Sequence, residues 1–450
     1  MTQIKTKEID MLHGKELPII VRFALPMLLG NLFQQVYNIV DSVVVGRYLG
    51  KDALVAVGAT GSITYFFYTI CLGLGIAAGV MVAQAYGEGN ESRVKKTITN
   101  SAYVIAAFAI VISAISAGLA GKLLVLLDTP KKVLGDATAY MRIACMGTLA
   151  VAAYNWIAYL LRALGDSKTP LFFLILASLI NAGLDLLFVV GLNMGVRGAA
   201  FATICSQGLS AAGSISYALL KNEHFRLKKE HWIPDIGMCG KCIRTGLPIA
   251  AQNAFISISM IALQRVANSF NESVMAAYTA TMRIEQLVQQ PFSSMNAALS
   301  NFTGQNMGAG QVDRIRRGYK KTMLLGLCFS FLMFLIFMPF AEQVVGIFVK
   351  EQEVIEIGAR GLRLSCFFYF FLGMIHMTRG LLNGAGDVNY ALVNGIFEVA
   401  GRIGFSCILA YVLHVGPISV WATSALTWFL TGLYCWSRYL RGIWVNKKLK

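Results

Sequence analysis

The chain has 450 residues, 56% of them hydrophobic and 14% charged, with a mean hydropathy of +0.61. Soluble globular domains carry about 25% charged residues, so this composition excludes one and describes an integral membrane protein. The formal net charge of +16 would suit a nucleic acid, but the basic residues gather in short loops on one side of the apolar runs. The excess is therefore topological, and no RNA or DNA partner is expected.

Apolar runs of about 20 residues, the length an α-helix needs to cross roughly 30 Å of hydrocarbon, recur along the whole chain. The ten-residue alternating segments of a β-barrel do not stand out. The runs predict twelve spans, near residues 17–45, 53–83, 97–120, 135–161, 170–191, 196–220, 244–268, 274–303, 320–341, 355–378, 389–413 and 417–440. With the N-terminus inside, the inner segments collect Lys5, Lys7 and Lys15, then Arg93, Lys95 and Lys96, Arg162 and Lys168, the group from Lys221 to Arg244, that from Arg314 to Lys321, Arg379, and the tail from Arg438 to Lys450. The outer loops hold Arg47, Lys51, Lys122, Lys131, Lys132, Arg197 and Lys350. Both termini are thus expected to be cytoplasmic, in a cell (inner) membrane. Residues 1–16 lack the apolar core and cleavage site of a signal peptide, so the first span is expected to be retained.

The longest polar break, residues 221–243, divides the chain into two sets of six spans, and the two sets repeat each other. Leu25-Pro26 and Asn31 return 222 residues later as Leu247-Pro248 and Asn253. At an offset of 221, Gln84, Gly87, Gly89 and Arg93 match Gln305, Gly308, Gly310 and Arg314; Arg142 and Cys145 match Arg363 and Cys366; Gly165-Asp166 matches Gly386-Asp387; Gly195 matches Gly416. An even number of spans per repeat makes the repeat parallel. The expected fold class is an all-α membrane protein, twelve transmembrane helices in two pseudo-symmetric six-helix lobes around a central cleft. Its expected organisation is a cytoplasmic segment 1–16, an N-lobe 17–220, a cytoplasmic inter-lobe loop 221–243, a C-lobe 244–440 and a cytoplasmic tail 441–450.

In the first span Gln34, Tyr37, Asn38 and Asp41 stand at i, i+3, i+4 and i+7 and share one helix face. An aspartate in a membrane segment costs roughly 2.5–3.5 kcal/mol on insertion scales, which marks it as a candidate ion or substrate site. Asn181 and Asp185 are one turn apart in span 5, and Thr203 lies in span 6. These are oxygen donors of the sort that hold a hard cation, or a carboxylate that takes up a proton. If Asp41 and Asp185 share one pocket, both cannot stay ionised cheaply, and the pair needs a proton or a metal cation such as sodium. The bland alternative is two independent aspartates bonded to neighbouring backbone.

The second half differs. Arg402 and Ser406 occupy the places of Asn181 and Asp185, and Glu398, one turn before Arg402, forms with it an expected structural ion pair. Span 8 adds Arg283 and Glu285, and with Glu398 and Arg402 these are the second-lobe candidates; contact with substrate is their minority role. His376 reads as a hydrogen-bonded packing residue. Gly73, Gly75 and Gly79 in span 2 let helix backbones approach. Cys239 and Cys242, after His224 and His231, lack the repeated CxxC of a zinc framework and read as reduced thiols. The five histidines form no HExxH motif and no Walker A sequence occurs, so neither an intramembrane enzyme nor a nucleotide-driven pump is expected.

LP with QQVYNIVDSVVVGRYLG in span 1, AQAYGEGNESRVKK after span 2, RALGDSKTP and NAGLD around span 5, and GVRGAAFAT opening span 6 are echoed later by GQNMGAGQVDRIRR and NGAGD. In this order the chain resembles the multidrug and toxic compound extrusion (MATE) transporters across essentially its full length. The resemblance implies a two-lobed antiporter that expels small organic, often cationic and aromatic, compounds while protons or sodium ions enter. It implies no other cofactor, and action as a monomer within the lipid bilayer is expected. It places the cation site on Asp41, Asn181, Asp185 and Thr203, with Gln34 and Tyr37 beside it, and links Pro26 to bending of the first span. An acid found in span 7 of the NorM-like branch is absent, Ser257 standing near that depth, which points to the DinF-like branch. A lipid-linked saccharide flippase of related architecture is the alternative.

Overall fold

A backbone amide cannot be left without a partner in hydrocarbon, and each apolar run satisfies its own as a helix. The computed structural model describes residues 8–126 and 129–449. Lys5, Lys7 and Lys450, and the first part of the 1–16 segment, lie outside the described residues. Thirteen α-helices follow in order: α1 (Glu16–Leu49), α2 (Lys51–Gly87), α3 (Glu91–Leu126), α4 (Lys131–Met146), α5 (Thr148–Ala163), α6 (Lys168–Asp185), α7 (Gly195–Lys221), α8 (Ile236–Asn268), α9 (Glu272–Gly308), α10 (Val312–Gly346), α11 (Gln352–Ala385), α12 (Val388–Cys407) and α13 (Ser419–Leu440). They supply the twelve expected spans, because α4 and α5 are one span bent by 43°. Among the described residues, eight single helices are apolar and long enough to cross a membrane, nine segments with the bent pair. The remaining α7, α9 and α13, of 27, 37 and 22 residues, are long enough but more polar.

The bend between α4 and α5, within the span expected near 135–161, falls at Gly147. A Cβ on Gly147 would come within 2.3 Å of Ile204, so α7 packs against bare backbone there. The Gly147 N–H is still used, donating to the carbonyls of Ile143 and Ala144 at 3.1 Å each.

The internal repeat is written in the backbone as well as in the residues. Gly89 and Gly310 (φ 68° and 72°), Gly165 and Gly386 (95° and 86°), and Gly195 and Gly416 (62° and 81°) all turn left-handed at the expected offset. Asn193 and His414, different residues at that same offset, are the non-glycine residues with positive φ among the described residues, at 51° and 49°. Both belong to residue types that tolerate this region. α6 and α12 each run out into a π-helical turn, Leu186–Gly191 and Ile408–Val412.

Packing divides the chain into two units, Met1–Asp10 with Leu25–Ala250, and Met11–Ala24 with Ala251–Lys450. Side chains account for where these units divide. The loop is tied to α3 of the first unit: Thr99 donates to the His231 carbonyl at 2.5 Å, Tyr103 to the Trp232 carbonyl at 2.8 Å, and the Asp235 amide to Asn100 at 2.7 Å. Residues 11–24 belong to the second unit, where Arg314 takes the carbonyls of Met11, His13 and Gly14 and Glu16 pairs with Arg317 and Lys321 at 2.9 and 2.7 Å.

Each unit is knitted by glycines. In the first, a Cβ on Gly73 would sit 2.6 Å from the Ala250 nitrogen, and Gly75 and Gly79 face Tyr159, as the packing role read from the sequence requires. In the second, Gly380 and Gly384 press against the carbonyls of Asn296 and Ser300, closing α11 onto α9. Leu179 in the first unit and Leu324 and Phe331 in the second are exposed apolar side chains, of a kind suited to lipid.

Candidate functional site

α1, α6 and α7 of the first unit bring the sequence candidates together. Asp41 lies at the end of the polar face of α1. Asp185 closes the last regular turn of α6, just before its π-helical exit, a distortion that often accompanies functional positions. Asn181 and Asp185 are each only 1% exposed. The two carboxyl groups, on helices far apart in sequence, stand within hydrogen-bonding distance of each other. Both are acceptors when ionised, and one oxygen of each, Asp41 Oδ1 and Asp185 Oδ1, is buried without any donor.

Asn181 fixes this geometry. With its amide turned so that both ends are satisfied, its nitrogen donates to Asp185 Oδ2 at 2.7 Å and its oxygen accepts from the Thr203 amide at 3.1 Å. Each end thus has a partner, and Asn181, which the family resemblance places among the cation ligands, links the Asp185 carboxylate to α7. Thr203 Oγ1 donates to the Ala199 carbonyl at 3.1 Å and lies within reach of the Tyr37 hydroxyl. Tyr37 thus joins the cluster. Gln34 is half-buried and Asn38 is exposed, its carbonyl taking the Ser42 hydroxyl at 2.8 Å. Neither bonds to the acidic pair among the described residues.

Two tyrosines escaped the sequence reading. Tyr140 on α4 lies within electrostatic reach of Asp41, Tyr37 and Asp185, and Tyr68 on α2 lies within reach of Tyr37 while donating to the Ala144 carbonyl at 3.0 Å. Tyr68 lies in an aromatic stretch with Tyr65, Phe66 and Phe67, and Tyr140 in the mixed sequence of α4, so spacing offered no signal for them.

The second unit gathers charge differently. Glu398 is paired first with Arg379, at 2.8 Å, and only then with Arg402, at 3.6 Å. Arg379 had been assigned to an inner loop; it sits within α11 and also donates to Asn394 at 2.8 Å. Arg402 donates to Ser259 at 2.6 Å. Gln252 bonds to Asn394. Glu285 is buried on α9 with Oε1 lacking a partner, whereas Arg283, two residues earlier, is exposed. Pro26 lies inside an α1 that runs without interruption from Glu16 to Leu49. His376 stacks on Phe292 at 6.0 Å with its Nδ1 buried and unpartnered, so only the packing part of its expected role is met.

The inter-repeat cysteines and histidines do not converge. His224 bonds to Glu91 at 2.7 Å, His231 accepts from the Lys228 amide at 3.0 Å, Cys239 contacts Asn100, and Cys242 is buried beside Leu74. Among the described residues no group of three or more His, Cys, Asp or Glu side chains is placed to hold a metal.

With this geometry in hand, comparison with known proteins is informative. The family described as MatE matches residues 26–187 and 248–412, one stretch in each repeat. "Probable multidrug resistance protein YpnP" of Bacillus subtilis is 29% identical over 395 residues, 86% of each chain. "Probable multidrug resistance protein YoeA" of the same organism is 26% identical, covering 95% of this chain and 94% of its own. A solved outward-facing multidrug resistance MATE family transporter superposes with a TM-score of 0.90 over 98% of this chain and 99% of its own, at 23% identity, a likeness of fold.

Proposed function

The chain belongs to the MatE family and is a multi-pass transporter of the multidrug-extrusion kind, and on that premise we propose that it is a cation-coupled antiporter working by alternating access. It expels organic, often cationic and aromatic, compounds as protons or sodium ions enter. It acts as a monomer in the cell (inner) membrane with both termini cytoplasmic.

The observation that carries this reading is the contact between the Asp41 and Asp185 carboxyl groups, each with a buried oxygen that no protein donor reaches. Two unit charges about 4 Å apart repel by about 4 kcal/mol at an effective dielectric near 20. A proton on one carboxyl, or sodium held by both, removes that repulsion. Thr203 and Tyr37 add oxygens at its edge. Without the inorganic cation the pair is negative and favours an organic cation; with it that attraction is lost. Exchange requires the two ligands to prefer different shapes of the protein. α1 is the element that can supply them, because Pro26 has no N–H for the Arg22 carbonyl and bending there breaks no hydrogen bond. The relatives' names do not favour the flippase alternative. Assignment to the DinF-like branch rests on the absence of a span 7 acid near Ser257.

The test is dye efflux from proteoliposomes under an imposed proton gradient or an imposed sodium gradient. Asp41→Asn and Asp185→Asn are each expected to lose coupled efflux by about tenfold or more, a barrier change of about 1.4 kcal/mol. The gradient that drives the wild type names the ion. Near-normal coupled efflux by both variants at equal insertion would refute the site.

A further inference from the structure

The second unit carries a pocket of about 430 Å³ at the turn between α8 and α9. Gln264 and Asn268 reach it from the last turns of α8. Met275, Thr279 and Arg283 reach it from α9, where their i, i+4, i+8 spacing puts them on one face, and Phe348 after α10 closes the apolar side. Gln264 donates to Asn268 Oδ1 at 2.8 Å, which leaves the Asn268 amide nitrogen as a donor. Arg283 is exposed, and its hydrogen bond, to Gln286, is long at 3.5 Å. Among the described residues no carboxylate stands within ion-pair distance of it. Glu285 is buried beside Ser365 on another face of α9.

A guanidinium presents a fork of donors matched to a carboxylate or phosphate and is weakly hydrated, so it binds such groups at sites where an ammonium prefers water. Beside it, the Asn268 amide adds a donor and Met275 and Phe348 add an adaptable apolar wall. We propose that this pocket binds an amphipathic monoanion, a carboxylate or phosphate head on an apolar body, with Arg283 holding the head. The repeat makes the feature particular to one half: the residue 221 positions before Arg283 is Ser62. The site is independent of cation coupling at Asp41, and its test reads binding alone.

Purified protein in phosphatidylcholine nanodiscs is titrated with dansyl-undecanoate and, separately, with its methyl ester, following dansyl fluorescence. The wild type is expected to bind the acid saturably. Arg283→Gln is expected to weaken the acid by about tenfold or more, the loss of one charge-assisted hydrogen bond, while leaving the ester unchanged. Arg283→Lys keeps part of the affinity, and Thr279→Trp, which fills the pocket from an exposed position, removes it. Adding phosphatidylglycerol to the nanodisc separates the sources of the head group. Competition in the wild type that disappears in Arg283→Gln supports a lipid ligand, and wild-type binding untouched by phosphatidylglycerol supports a soluble organic anion. Equal affinity of wild type and Arg283→Gln for the acid, or of the wild type for acid and ester, would overturn the proposal.

Discussion

Arg314 and Arg93 occupy equivalent places in the two repeats, yet their replacement should have very different costs. Arg314 is 8% exposed. Its guanidinium donates to the Gly14 carbonyl at 2.6 Å, the His13 carbonyl at 3.1 Å and the Met11 carbonyl at 3.2 and 3.3 Å, and it lies 5.4 Å from the Phe302 ring centroid. Hydrogen bonds from a charged donor contribute about 1.5–3 kcal/mol each, but not additively, and removing the guanidinium also recovers its own desolvation. With three carbonyls stripped of their donor, Arg314→Ala should cost about 3–5 kcal/mol. Arg93 spends its Nη1 on Glu88, at 2.7 Å, with both side chains nearer water at 19% and 17% exposure, and Arg93→Ala should cost about 1 kcal/mol. In detergent, tryptophan-monitored melting should fall by on the order of 5 °C for Arg314→Ala and by less than half that for Arg93→Ala. Because Arg314 pins residues 11–14, its loss should also expose the peptide bond after Lys15 to trypsin, a local opening that mass spectrometry detects. Equal melting of the two variants, with Lys15 still resistant, would refute the idea that this arginine docks the start of α1.

Two further outcomes follow from packing and charge. Gly73→Val drives a side chain into the Ala250 nitrogen and the Gly246 carbonyl, which as helix backbone cannot yield, and should cost about 3 kcal/mol or more and abolish the monodisperse peak in size-exclusion chromatography; Gly58→Ala on the same helix, where nothing lies within 4 Å, should leave it intact. Arg379→Met leaves Glu398 with Arg402 alone at 3.6 Å and should lower stability by about 3–5 kcal/mol, whereas adding Glu398→Gln should recover about half of the melting temperature; a double variant no better than the single one would disprove the pairing.

The helices were legible because lipid leaves the chain no other option, and apolar runs mark spans with little ambiguity. The repeat was legible because left-handed turns require glycine or a few polar residues, so Gly89, Gly165 and Gly195 had to reappear as Gly310, Gly386 and Gly416. What stayed hidden depended on residues whose partners are remote in sequence. The bend at Gly147 is decided by Ile204, and the seat of residues 11–24 by Arg314, three hundred positions away. Arg379 was misplaced for a simpler reason: a lone arginine near a helix end looks like a loop charge until its glutamate, on the next helix, is found.

For the candidate site, helical spacing singled out Asp41, Asn181 and Asp185, but only the assembled unit shows what each end of the Asn181 amide meets, because those partners are set by the packing of α6 on α7. The equivalent positions of the other repeat explain why one half alone carries such a pair. Tyr37, Asp41, Asn181 and Asp185 correspond to Ser259, Leu263, Arg402 and Ser406. Leu263, at the place of Asp41, is fully buried in apolar contact, and Arg402 bonds to Ser259 at the places of Asn181 and Tyr37, so no carboxyl pair forms there. The second unit has thus built its cation into the chain. A guanidinium stays charged and cannot leave, and Glu398 answers it within the protein. The first unit has two acids and, among the described residues, no such resident countercharge in their hydrogen-bond network, so the cation of the proposed site would come from solution and could return there. Under the proposed antiport, one backbone plan, used twice, would hold charge permanently in one half and exchangeably in the other, and only the exchangeable half would couple the entry of an ion to the exit of a substrate.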